Sequence, residues 1–295
     1  MPNIGFIGAG TVGTALAVRL RDKGYMVTAV ASRTLASAER LASMVDGCKV
    51  KYSLQPLAEA ADVVFITTPD DVIPGVVEQI NWHTGQSVVH CSGADSLDIL
   101  DPAAGSGARV GAFHPLQTFA SITHALENIP GSTFAVEAEE PLLGTLKEMA
   151  LALNGQSIEL KPGDKVIYHT AAVFACNYLV ALVKLATDLW QTFDVPPREA
   201  TQALLPLLRG TINNLDNVGL PNCLTGPIAR GDLGTVRKHL AALKARAPEL
   251  LPSYRELGRQ TVPIALTKGK IDDQVAKELR EALREPIFKT SNTGE

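Results

Sequence analysis

The chain has 295 residues, 46% hydrophobic and 20% charged, with a formal net charge of -4. That length exceeds the usual size of a single domain and predicts two. Lysine and arginine are dispersed and acidic runs are absent, which excludes a basic nucleic-acid face and a charged tail. In chain order, NIGFI (3–7) reads as a strand and TVGTALAVRLRDKG (11–24) as a helix closed by Gly24. MVTAVA (26–31) is a second strand, LASAERLASMV (35–45) a helix, and DVVFITT (62–68) a strand. A helix near DDVIPGVVEQI leads to strands at SVVHCS (87–92), RVGAFH (109–114) and TFAVEA (133–138). PLLGTLKEMALAL (141–153) is a further helix, and QSIEL (156–160) the last strand. Strands separated by helices need crossover connections, so this half predicts a doubly wound, mostly parallel α/β sheet of Rossmann type.

After KPGD (161–164) long helical stretches take over, at 165–193, 198–218, 232–247, 249–268 and 272–285. Gly219, Asp232 and the prolines at 196, 197, 248 and 252 separate them, Pro206 predicts a kink, and the tail KTSNTGE predicts fraying. The predicted domains are therefore 1–160, a dinucleotide-binding sheet domain, and 161–295, an all-α domain. Cys48, Cys91, Cys176 and Cys223 are far apart and show no metal-ligand spacing, and the N-terminus does not resemble a signal peptide. A reduced, cytoplasmic setting without metal is expected. The most apolar run, TAAVFACNYLVALV (170–183), is too short to span a bilayer and predicts a buried helix.

GFIGAGTVG places Gly8, Gly10 and Gly13 in G-x-G-x-x-G between a strand and a helix, the context that a dinucleotide fingerprint requires. Gly8 would serve the tight turn, Gly10 the close approach of a pyrophosphate, and Gly13 the packing of helix on strand. Ala9, Thr11 and Val12 complete the loop, whose first-turn N–H groups are available to phosphate. The second strand ends in Ser32, Arg33 and Thr34, with no carboxylate before Glu39. A hydroxyl beside a guanidinium suits the 2′-phosphate of NADP, whereas an NAD site usually has an acid there. Arg33 also reads as a solvated surface residue. Thr68 and Pro69 follow the 62–68 strand at the carboxyl edge, where cofactors bind. Ser92 falls on the same edge, either near the nicotinamide or as a turn residue.

Three stretches offer chemistry. In GAFHPLQTF (111–119), His114 follows a strand and is either a proton donor or a structural imidazole; Gln117 is a candidate substrate contact. In KVIYHTAAVFACNY (165–178), Lys165 and His169 share one helix face, where two polar donors suit a cleft better than a dry core. Asn177 lies about 18 Å further along the axis, too far to share one reacting centre. In LTGPIARGDLGTV (224–236), Asp232 caps a helix, and Arg230 is either a carboxylate ligand or a surface residue of the loop. Motifs of hydrolases and phosphotransferases are absent.

GFIGAGTVGTALA, GAFHPLQTFA, KVIYHTAAVFACNYLVAL, ALLPLLRGTINN and LTGPIARGDLGTVRKHL together resemble bacterial proteins that pair a Rossmann-like domain with a helical domain of unknown function. The resemblance spans roughly residues 3–260. Such proteins are described as NADP oxidoreductases and are similar to ketopantoate reductase, pyrroline-5-carboxylate reductase and the 6-phosphogluconate dehydrogenase superfamily. The resemblance implies a helical dimerisation domain, a homodimer, and a nicotinamide site at the cleft between the domains. In the β-hydroxyacid dehydrogenase branch a catalytic Lys is followed four residues later by Asn. Here Lys165 is retained and His169 replaces the amide, which opens the substrate class. The expected function is NADPH-dependent reduction of a small carbonyl compound, a 2-keto acid of the ketopantoate type leading. Lys165 would be assisted by His169 or His114. The alternatives are an imine reductase and a non-catalytic NADP sensor.

Overall fold

The computed structural model describes residues 1–284; the tail KTSNTGE, expected to fray, lies outside the described residues. The chain forms two compact units, Met1–Asn177 and a second from Tyr178 onward. In the first, β1 (Asn3–Ile7), α1 (Thr11–Asp22), β2 (Met26–Ala31), α2 (Leu35–Met44), β3 (Lys49–Val50) and α3 (Leu54–Ala58) lead to β4 (Val63–Ile66). There follow α4 (Ile73–Glu78), β5 (Ser87–His90), α5 (Asp101–Gly105), β6 (Arg109–Leu116), α6 (Ile122–Asn128) and β7 (Thr133–Ala138). The unit ends with α7 (Leu142–Ala152), β8 (Gln156–Glu159) and α8 (Lys165–Ala175).

The strands make one sheet in the order β3-β2-β1-β4-β5-β6-β7-β8, with the change of direction beside β1 that defines a doubly wound fold. All neighbours are parallel except β6 and β7. The chain turns back there at the carboxyl edge, and α6 packs on α1 instead of providing a crossover. Arg19 fixes that packing by donating to Leu126 O from Nε (2.8 Å) and Nη2 (2.6 Å).

The two faces of this sheet differ. On one, Phe6, Phe65, Phe113 and Phe134 run across β1, β4, β6 and β7 within an apolar core. Phe6 stacks on Phe65 at 5.2 Å and Phe113 on Phe134 at 4.5 Å. Each buried ring contributes roughly 2–3 kcal/mol by burial. The other face is apolar under Ile7, Val64, Ile66 and Val88. It turns polar from β5 onward. Register puts His90, Ala112 and Glu137 in one row across β5, β6 and β7, and His114 opposite Ala135. This polar patch carries the candidate site.

The second unit comprises most of α9 (Asn177–Gln191), with α10 (Pro197–Val218), α11 (Leu233–Arg246), α12 (Leu251–Thr267) and α13 (Asp273–Ala282). Ile228, Val236, Val262, Ala265, Ala276, Leu279 and Leu283 form its core. Asp232 caps α11 by accepting the Thr235 N–H at 2.9 Å, as its position predicts. Pro206 lies inside α10, which continues through it.

The apolar run 170–183 departs from expectation. Only Cys176 separates α8 from α9, so Lys165–Gln191 forms one 27-residue helical stretch, long and apolar enough to cross a membrane by length and composition. The expected burial does not hold: none of its apolar window is buried in the chain, and Ile167 is 73% exposed. Apolarity predicts that a face will be covered, without specifying that the cover comes from the same chain.

Candidate active site

The glycines of the loop differ in what requires them. Gly8 has φ +108°, and a Cβ there would lie 2.7 Å from the Thr67 backbone. At Gly13 a Cβ would meet Thr67 Oγ1 at 2.3 Å and Gly8 O at 2.5 Å, so only glycine lets α1 approach β1 this closely. Gly10 is different: a Cβ would meet nothing within 4 Å, because this residue borders open space. Gly10 caps α1 without a side-chain bond, and its carbonyl accepts the Thr14 N–H at 3.0 Å. The N–H groups of Thr11, Val12 and Gly13 therefore have no partner within the helix and can receive an anion. Val12 packs its side chain on the apolar core.

The cavity in front of Gly10 has a volume of about 470 Å³. Gly8, Ala9, Ser32, Arg33, Thr34, Thr68 and Pro69 are among its lining residues, and among the described residues no carboxylate lines it. Thr67 Oγ1 donates to Gly8 O at 2.8 Å and holds the loop to β4. Thr68 Oγ1 is buried without a hydrogen-bond partner among the described residues. An open glycine wall, unpaired helix N–H groups and this orphaned hydroxyl fit a dinucleotide. The structure thus brings together Gly8, Ala9, Gly10, Ser32, Arg33, Thr68 and Pro69. Arg40, which sequence reading overlooked, donates from Nη2 to Ala9 O at 3.3 Å.

A second cluster starts one residue beyond Pro69. The Ser92 hydroxyl lies 2.8 Å from Asp70 Oδ2 and 3.0 Å from Asp95 Oδ2, and accepts the N–H groups of Ala94 and Asp95. Its one proton and two lone pairs are thereby committed within the protein. Lys165, 1% exposed, donates from Nζ to Ser92 O at 2.8 Å. Burial lowers the Lys165 pKa to about 8, against the opposing effects of Glu137, Cys91, Asp95 and Asp70.

Both imidazoles singled out in the sequence join this cluster. His114 Nδ1 is 2.8 Å from the Tyr168 hydroxyl, and its ring centre is 6.2 Å from that of His169. Gly93 makes room for them, since a Cβ there would lie 2.6 Å from His169 and 2.8 Å from His114. Burial, then Lys165 and His169, lower the His114 pKa to about 4, so its imidazole is neutral at pH 7. His90 is fully buried, accepts the Ser92 N–H on Nδ1 at 3.2 Å and is lowered to about 3, chiefly by burial. Lys165, Tyr168 and His169 share one turn of α8, a spacing that would have revealed Tyr168. Asp70 and Asp95 were visible in TTPDD and CSGADS as acids beside strand ends.

The Gln117 amide reaches Asn128 O and Ser132 Oγ, both at 3.4 Å. Arg230, in the second unit, lines a separate cavity of about 400 Å³ with Lys268 and Lys270.

Comparison with known proteins agrees with this architecture. Residues 2–115 match the model of a Rossmann-like domain, and residues 132–261 that of a domain of unknown function, DUF2520. A Bacteroides fragilis protein classed as an NADP oxidoreductase is 27% identical, with a TM-score of 0.68 over 89% of this chain and 98% of that one. A Thermotoga maritima protein is 25% identical, with a TM-score of 0.66 over 95% and 98%. A reductive aminase from Aspergillus terreus, solved with NADPH and ethyl levulinate, shares the fold at 18% identity, with a TM-score of 0.65 over 95% and 99%. No curated protein matches the chain.

Proposed function

We propose that this chain, a Rossmann-like domain joined to a DUF2520 domain, is an NADPH-dependent reductase of a small carbonyl compound, with a 2-keto acid of the ketopantoate type as first candidate. One observation carries the reading. The Thr68–Pro69 wall of an acid-free dinucleotide cavity runs directly into Asp70 and, through Ser92, to a buried lysine. The N–H groups of the first turn of α1 would hold the pyrophosphate, and Ser32 and Arg33 the 2′-phosphate. When bound, the reduced nicotinamide supplies hydride to the carbonyl carbon, and the carbonyl oxygen takes a proton to become a hydroxyl.

Within the chain, Lys165 supplies positive charge for the developing alkoxide and the proton that neutralises it. His114 and His169, which are only partly buried, pass the proton on or orient the substrate. Arg230 is the candidate ligand for a substrate carboxylate, and Gln117 a second polar contact. A Lys165→Ala variant should lose about 10²–10⁴-fold in turnover and keep its NADPH affinity within about threefold. Unchanged turnover removes Lys165 from the mechanism.

A second reading, reduction of a cyclic imine, is supported by the three acids Asp70, Asp95 and Glu137 around Lys165, whose charge suits a protonated imine. Assays with a keto acid and a cyclic imine side by side separate the two. Tight NADPH binding with no turnover of either would indicate a non-catalytic NADP sensor. We further propose a homodimer in which a second copy covers the exposed apolar residues of the Lys165–Gln191 stretch, Val166, Ile167 and Val180 among them. The four unpaired cysteines support a reducing, cytoplasmic setting.

A further inference from the structure

The interior of β7 carries a carboxylate among apolar neighbours. Phe134, Ala135 and Val136 are fully buried, and Glu137 follows them at 6% exposure. The Glu137 side chain forms no hydrogen bond among the described residues, and its Oε2 is buried. An ionised carboxyl in such a place is strongly disfavoured unless a cation offsets it. Among the described residues the cation acting on it is Lys165, the first residue of α8. Of the three N–H donors of that ammonium, one is engaged, by Ser92 O at 2.8 Å. Glu137 and Lys165 share no hydrogen bond or ion pair within 4.0 Å among the described residues, so the ammonium, with donors left over, acts on the buried carboxyl through space.

We propose that Glu137 is a positioning residue for Lys165: a buried counter-charge on β7 that keeps the ammonium protonated and directed at the Ser92 edge of the site. The inference rests on the reading of Lys165 as the group that serves the reaction. Other groups face Lys165 from three directions: Asp70 after β4, His90, Cys91 and Asp95 at the end of β5 and the loop beyond, and His114 on β6. Asp98 and Asp164 also face Glu137. Asp70 and Asp95 already share the Ser92 hydroxyl, whereas Glu137 Oε2 has no hydrogen-bond partner among the described residues. The electrostatics run the same way from both sides. Burial lowers the Lys165 pKa and Glu137 is the strongest group opposing it; burial raises the Glu137 pKa and Lys165 is the group opposing that.

Removing the negative charge must make the ammonium harder to keep, so Glu137→Gln should lower the Lys165 pKa. The test is a pH titration of lysine Cε shifts by carbon-13 NMR of the full-length protein, with the Lys165 signal identified by its absence from Lys165→Met. The wild-type midpoint is expected near 8. In Glu137→Gln it should fall by about one pH unit or more, and in Asp95→Asn by less. An unchanged midpoint in Glu137→Gln overturns the proposal. If that variant does not fold, the reciprocal measurement decides: the Glu137 carboxyl should titrate higher in Lys165→Met than in wild type, and an unmoved carboxyl overturns the pairing. In turnover, the limb of kcat/KM that falls as Lys165 deprotonates should move to lower pH in Glu137→Gln together with the NMR midpoint. A moved midpoint without turnover of any carbonyl or imine leaves the pairing standing and removes the reductase reading. Turnover with a fixed midpoint removes the pairing alone.

Discussion

His90 and His114 are kept neutral by the interior that holds them, and this ties the stability of the first unit to pH. Unfolded, both imidazoles titrate near 6.5; folded, they titrate near 3 and 4. As pH falls below 6.5 the unfolded chain binds protons that the native chain refuses, so stability falls by up to about 1.4 kcal/mol per pH unit for each group. Lys165 works at the other end of the scale. Its folded value of about 8 lies below its ordinary 10.5, so stability rises again as pH climbs between those two values. Urea midpoints measured from pH 7 to pH 5 should decline, and the decline should flatten in His90→Gln or His114→Gln. A pH-independent midpoint over that range would contradict the burial of uncharged imidazoles. Much of this cluster was readable in the sequence. Lys165 and His169 stand one turn apart, and His114 ends a strand-like run. Glu137 was equally visible as a single charge inside TFAVEA, but its partner comes from a helix 28 residues later, and a strand pattern carries no record of what packs over it.

At the level of elements, the strand–loop–helix around the glycines separates packing from binding. Gly13→Ala puts a methyl group 2.5 Å from the Gly8 carbonyl oxygen, a backbone atom that cannot swing away, and should cost about 1–3 kcal/mol of stability. Gly10→Ala meets nothing within 4 Å and should leave the melting temperature nearly unchanged. Its methyl group would occupy the space proposed for the pyrophosphate, so NADPH affinity should fall by about tenfold or more. Calorimetric titration and thermal melting of the two variants check this; full NADPH affinity in Gly10→Ala would move the pyrophosphate elsewhere. The long alternating elements were legible because buried strands and amphipathic helices have distinct periods. The two-residue β3 and the short α3, α5 and α6 have too few residues to show a period. The reversal of β7 escaped for another reason. A strand's own residues do not encode its direction, and α6, which turns the chain back, is itself short.

For the whole molecule, the Rossmann-like half declared itself through its fingerprint, and the helical half through a change of rhythm after residue 160. The fate of its most apolar helix could not be read in that way. Ile167, Val166 and Val180 are exposed in the single chain, which is the basis for proposing a second copy as their cover. Sedimentation at twice the chain mass supports that cover, and a monomer at micromolar concentration opposes it. The central claim is that the acid-free cavity and the lysine cluster act together as one NADPH-dependent reductase. Its most direct test follows the hydride itself: the chain is incubated with NADPH deuterated at the nicotinamide C4 and a 2-keto acid, in parallel with similarly labelled NADH. The account predicts deuterium at the carbinol carbon of the product, transferred faster from NADPH than from NADH and lost in Lys165→Ala. Tight binding of NADPH with no deuterium delivered to a keto acid or a cyclic imine would contradict it.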